Sequence, residues 1–179
     1  MGLHQRTSEW LEALVQSGQI YTRWLRRLYW AEYGGAGRFR DIVEQYQLTG
    51  ETRVVFEGII ADEMRHKGLV EALLAAKGIP VPETPGAERY WDPVWNGITS
   101  FQDACAAGAF GEMLARNRFD VIAKHPITPD DIRALVLQIL PDEERHARLL
   151  GDLAGPEAMN RMRPYHKKGM AALGLIDED

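Results

Sequence analysis

A chain of 179 residues, 45% apolar and 26% charged, is long enough for one domain with a substantial core and too apolar for extensive disorder. Its 21 basic and 26 acidic side chains leave a net charge of −5, without the basic excess of a duplex-binding protein; Arg23, Arg26 and Arg27 form only a short cluster. No stretch reaches the roughly 20 apolar residues that cross a bilayer, and the opening MGLHQRTSEW lacks the basic-then-apolar pattern of a secretory signal. A cytoplasmic location is the expectation, and the sequence carries no clear nucleic-acid or membrane signal. The single Cys105 allows neither an internal disulfide nor a four-cysteine metal site.

Thr7 or Ser8 is expected to cap a first long helix, in which Trp10, Leu11, Leu14, Val15, Ile20, Trp24, Leu25 and Leu28 recur at helical spacing into the forties. It is expected to continue despite Gly34, Gly35 and Gly37, whose cost of about 1 kcal/mol each relative to Ala points to close helix packing. Turn chemistry at Leu48–Thr52 leads to a second helix that Gly78 and Pro80 stop. Pro80, Pro82, Pro85 and Pro93 then mark a long connection of the kind that travels the length of a bundle. A third helix is expected from about Trp95 to Lys124 and a turn at His125–Pro129. The fourth is expected from about Asp130 to Leu153, with a kink at Pro141. A short terminal helix follows Gly155-Pro156, and Asp177-Glu178-Asp179 is expected to fray. No segment alternates as a strand, so the expected fold is all-α: an antiparallel four-helix bundle of two pseudo-symmetric hairpins, residues about 8–78 and 94–154, in a single domain 1–179 with a C-terminal extension from 155.

Asp62-Glu63-Met64-Arg65-His66 recurs as Asp142-Glu143-Glu144-Arg145-His146, displaced by 80 residues, and the same displacement carries Glu32 onto Glu112. Each of those glutamates precedes its Glu-x-x-His by 31 residues. Glu and His three apart share one helix face and reach a common ion. Turns near Gly50 and near Pro126–Pro129 bring the members of each half to nearly the same level. One Glu-x-x-His alone is usually a solvated helix face; four carboxylates and two imidazoles at matched positions on apolar faces would each cost several kcal/mol unless paired or metal-bound. Glu32, Glu63, His66, Glu112, Glu143 and His146 are therefore the expected metal ligands and catalytic residues. Two iron ions suit this donor set best, with manganese or a mixed manganese–iron pair as the alternative.

On these motifs the sequence resembles the ferritin-like di-iron carboxylate superfamily across about residues 8–154. Ala31-Glu32-Tyr33-Gly34 is similar to the first-helix motif of demethoxyubiquinone hydroxylases. Glu112–Phe119 with Glu143-Glu144-Arg145-His146 resembles the tRNA-modifying di-iron hydroxylases. Rubrerythrins are the third likeness, with two departures: no rubredoxin cysteines, and Ala115 and Arg116 where a further carboxylate after Glu112 is expected. The resemblance implies a di-iron oxidoreductase activating O2, an oxidase or monooxygenase acting on an organic substrate with an external electron donor. The alternatives are a rubrerythrin-like peroxidase acting on peroxide, or iron binding with ferroxidase activity. A homodimer is an admissible assembly. It also implies that Asp62 and Asp142 support the histidine of the opposite half, pairing Asp62 with His146 and Asp142 with His66.

The remaining candidates carry two readings each. Tyr29, three before Glu32, is either beside the site or a core tyrosine. Cys105, Gly108 and Ala109 either leave a substrate pocket leading to Glu112 or let helices pack tightly. Glu57 and Glu144 are read as surface or salt-bridge residues, and His4, His125 and His166 as surface. Tyr90–Trp95 is expected to pack on the core or crossover.

Overall fold

The computed structural model describes residues 2–85 and 89–176, so the expected fraying of Asp177-Glu178-Asp179 lies outside the described residues. The fold is all-α, and among the described residues there is no strand: α1 Leu3–Gln16, α2 Gly18–Gln45, α3 Gly50–Ala76, α4 Trp91–Trp95, α5 Phe101–Lys124 and α6 Asp130–Ala172. The chain divides into two compact units, one of Met1–Glu12 with Ala87–Asp179 and one of Ala13–Gly86. Each is built on a helical hairpin, α5 with α6 in the first and α2 with α3 in the second, the elements from which ferritin-like bundles are made. No helix among the described residues is long and apolar enough to cross a membrane.

In the α2–α3 hairpin, Leu25, Leu28, Phe39, Phe56, Ile59, Val70 and Leu74 are buried, and the Phe39 and Phe56 rings meet edge to face at 5.9 Å. The expected single first helix is two. Ser17 takes an extended backbone and its hydroxyl accepts from the Ile20 amide at 3.4 Å, starting α2 afresh. Apolar spacing carries across this break, so periodicity alone conceals it. Thr7 and Ser8 are not caps; their hydroxyls donate to the carbonyls of Leu3 and His4. Helix α2 runs through Gly34, Gly35 and Gly37 without interruption.

In the other unit, α5 contributes a continuous buried run, residues 103–110, and α6 contributes Ile132, Leu135, Val136, Ile139 and Leu150. The turn between them is held by side chains. Thr128 Oγ1 donates to the Ile122 carbonyl at 2.5 Å, and Arg133 donates to the carbonyls of Ala123, His125 and Thr128. These bonds satisfy backbone acceptors that the end of α5 leaves open. The break in α6 falls at Gly155 (φ 72°, ψ 166°), while Pro141 stays helical. A φ of that sign admits glycine readily, and the terminal helix restarts at Pro156 as expected. Tyr90 and Val94 are buried, and α4 packs on α6 as expected, while Asp92 and Trp95 are exposed; the stretch forms a helix of its own.

Asp103 is 1% exposed and ties the start of α5 to the end of α6. Its Oδ1 accepts from Arg161 Nε and Nη2 at 3.1 and 2.9 Å; Oδ2 accepts from the Thr99 and Ser100 hydroxyls, both at 2.8 Å. Burial acts to raise its pKa, but the Ser100, Thr99 and Arg161 bonds outweigh it and hold the carboxyl below the ordinary range. A carboxylate with a lowered folded pKa stabilises the fold fully above its unfolded value near 3.9 and loses that contribution as pH falls through the folded value. Asp103→Ala is expected to cost about 2–4 kcal/mol in urea unfolding at pH 7. The difference from the parent should shrink when the measurement is repeated below about pH 4.

Candidate metal centre

Each hairpin buries two glutamates and a histidine. In the α2–α3 hairpin Glu32 is 5% exposed, Glu63 4% and His66 0%. Their candidate ligand atoms lie within 4.8 Å of one another. His66 Nδ1 faces Glu32 Oε2 at 3.3 Å and Glu63 Oε1 at 3.7 Å, and its Nε2 lies 3.2 Å from Arg65 Nη2. The ring thus turns one nitrogen to the carboxylates and the other to a guanidinium. In the α5–α6 hairpin Glu112, Glu143 and His146 are likewise buried, with ligand atoms within 4.8 Å. The structure therefore holds two carboxylate–imidazole clusters, one in each unit, on the residues that the 80-residue repeat relates.

Two carboxylate oxygens and one imidazole nitrogen per cluster are hard-to-borderline donors suited to iron or manganese. The α2–α3 hairpin is shaped around its carboxylates. A Cβ added at Gly35 would sit 2.5 Å from Glu63 Oε2, so the absence of a side chain at 35 makes the space Glu63 occupies. This is the close approach that the glycines of α2 pointed to in the sequence; what the sequence did not show is that Glu63 is what approaches.

Tyr29 is buried on the same hairpin with Lys67 Nζ 5.1 Å above its ring, and Trp30 meets it edge to face. Asp62 is part-buried and Asp142 buried; each ion-pairs with the arginine three residues on, Arg65 at 3.9 Å and Arg145 at 2.5 Å. Glu57 pairs with Arg53 and Glu144 with Arg116, all exposed. Cys105, Gly108 and Ala109 are buried within the helical run 103–110, and burial pushes the Cys105 thiol up to about 12.

His166 is not a surface residue. It is part-buried, stacks on Phe110 with centroids 4.5 Å apart, and its Nδ1 lies 2.7 Å from the Tyr90 hydroxyl. Burial, and then the charge of Glu112, raise the Tyr90 pKa well above the ordinary phenol value, so the hydroxyl keeps its proton and donates to His166. Burial, and then Arg163, push His166 down to about 4, leaving it the neutral acceptor. A Cβ at Gly169 would strike the Tyr90 ring at 2.7 Å, so Gly169 makes room for this pair. His125 is part-buried and His4 exposed.

No protein-family model matches the chain, and no curated protein or solved structure matches it significantly.

Two outcomes follow from this geometry. Gly35→Ala gains up to about 1 kcal/mol of helix propensity while displacing the end of Glu63. The metal-free melting temperature should hold or rise, and metal bound at equilibrium dialysis should fall about tenfold or more in affinity. His166, with an unfolded pKa near 6.5, stabilises the fold above that value and loses the contribution as pH falls toward its folded value of about 4. In urea unfolding of the metal-free chain, His166→Gln should remove about one proton's worth of slope between these two pH values.

Proposed function

We infer that the two hairpins associate as one ferritin-like domain and set their clusters together as a single two-metal centre, with Glu32, Glu63, His66, Glu112, Glu143 and His146 as ligands. The observation that carries this is the doubled cluster: the same three donors, at matched sequence positions, buried and gathered within 4.8 Å in each hairpin. Four carboxylates balance the charge of two divalent cations, and the two imidazoles favour iron, or manganese, over magnesium or calcium. In this reading Asp62 and Asp142 are the histidine supports and Tyr29 neighbours the site.

The proposed activity is a di-iron oxidase or monooxygenase acting on a small or lipophilic organic substrate. Bound iron would supply the electrons that reduce O2, replenished by an external donor. The chain's own residues do the rest. Nδ1 of His66 lies 3.3 Å from Glu32 Oε2 and 3.7 Å from Glu63 Oε1, and the helix backbones fix that arrangement in advance. The apolar faces around both clusters exclude bulk water and strengthen every charge interaction within. Tyr90 keeps its proton near Glu112 and carries no negative charge toward it. The buried, unpaired Cys105 suits a reducing cytoplasm.

The test is metal analysis after anaerobic loading with Fe(II), followed by exposure to O2. The expected result is two irons per chain, oxygen consumption on mixing, and a melting temperature above that of the metal-free chain. Glu63→Gln and Glu143→Gln should each lose at least one iron and lower oxygen consumption about 100-fold or more. Unchanged metal content in both variants would refute the centre. Reoxidation by peroxide but not by O2 would shift the activity to a peroxidase.

A further inference from the structure

Outside the clusters, the unit of residues Ala13–Gly86 carries a groove of about 510 Å³ between one face of α2 and the segment containing Pro82 and Thr84. Arg23, Arg26, Arg27 and Trp30 line it at steps of three and four residues. This face is distinct from the one bearing Leu25, Leu28, Glu32 and Phe39, so these cations take no part in the hairpin core. No carboxylate lines the groove, and none of the three arginines is paired among the described residues. Two donor atoms of these lining residues, Arg26 Nε and Trp30 Nε1, are buried with no hydrogen-bond partner.

That combination is costly for an empty surface. A buried donor without an acceptor costs about 1–3 kcal/mol, more when charged. Three guanidiniums gathered on one helix face repel one another, in a chain whose net charge is −5. An anion with several acceptor oxygens relieves the repulsion and gives the exposed guanidinium N–H groups acceptors. Guanidinium forks fit phosphate bidentately, and a phosphate monoester carries about two negative charges against the one of a carboxylate. Arg23 to Arg27 spans only about 6 Å of helix axis, the reach of one phosphate and its donors rather than of a run of backbone phosphates. The groove is larger than a bare ion requires and lies in the range of small-molecule sites. The Trp30 and Pro82 side chains give it an apolar wall.

We propose that this groove is a binding site for a small phosphate ester with a ring-shaped body, its phosphate held by Arg23, Arg26 and Arg27 and its body lying along Trp30 and Pro82. The site is independent of the metal clusters and does not rest on the function proposed above.

Adenosine monophosphate is the probe, titrated into the full-length chain by calorimetry and by tryptophan fluorescence. Binding is expected to be equal with and without metal, competed by inorganic phosphate, and weakened by added salt. Adenosine should bind at least about tenfold more weakly than the monophosphate. Arg26→Gln and Arg27→Gln should each weaken binding about tenfold, and Trp30→Phe, which keeps a ring and removes the N–H, several-fold. Arg27 is exposed, so its variant tests the site even where Arg26→Gln folds poorly, with circular dichroism as the check. Failure to bind the monophosphate, affinity unchanged in Arg27→Gln, or adenosine binding as tightly would overturn the proposal. So would an arginine-dependent preference of 100-fold or more for a single-stranded oligonucleotide, which would make the face a nucleic-acid surface.

Discussion

Burying two carboxylates and an imidazole inside a helical hairpin is the demand that the rest of this structure accommodates, and it makes it twice. An unpaired carboxylate in such surroundings costs several kcal/mol, and two held within 4.8 Å of each other add their mutual repulsion. A hairpin of long helices meets the demand because its backbone polar groups are satisfied internally. The helices then fix where each side chain projects, independently of the charges. The His66 ring interposed between Glu32 and Glu63 is the local response. The cavity left by Gly35 is the steric one.

Register is what such a hairpin cannot lose. One residue of slip turns a helical side chain by about 100°, enough to carry a glutamate out of its cluster and into solvent. Side-chain polar contacts hold the helix ends that set register. Ser17 starts α2, Ser100 and Asp103 start α5, and Thr128 with Arg133 close the turn into α6. The Asp103–Arg161 pair joins the start of α5 to the segment beyond the break at Gly155. That segment is also where His166 sits, so the same pair helps seat His166 beside Tyr90.

What the sequence made legible was whatever repeats. The 80-residue displacement identified all six cluster residues, because a functional spacing on a helix is a local pattern and a second copy multiplies its weight. The all-α fold was legible for the same local reason. What escaped was what depends on distant partners or on shape. Ser17 was hidden because apolar spacing continues through it. His166 looked unpartnered because Tyr90 is 76 residues away in sequence. Gly35 pointed to close packing but not to its partner, because that partner is an oxygen on the next helix. The arginine cluster was visible as charge, but not as a groove with two buried donors.

The repeat also shows where the two halves stop being equivalent. Moving by 80 residues takes Gly35 to Ala115 and Tyr29 to Ala109. The first cluster is thus opened by a missing side chain and flanked by a tyrosine under a lysine. The second has a methyl group at the position matching Gly35, and the charge of its Glu112 helps keep Tyr90, a residue outside the repeat, protonated. Ligand identity is repeated while the surroundings are not. Because polarity and hydrogen bonding around a ligand tune what it binds, the two hairpins offer a cation the same donors in different surroundings.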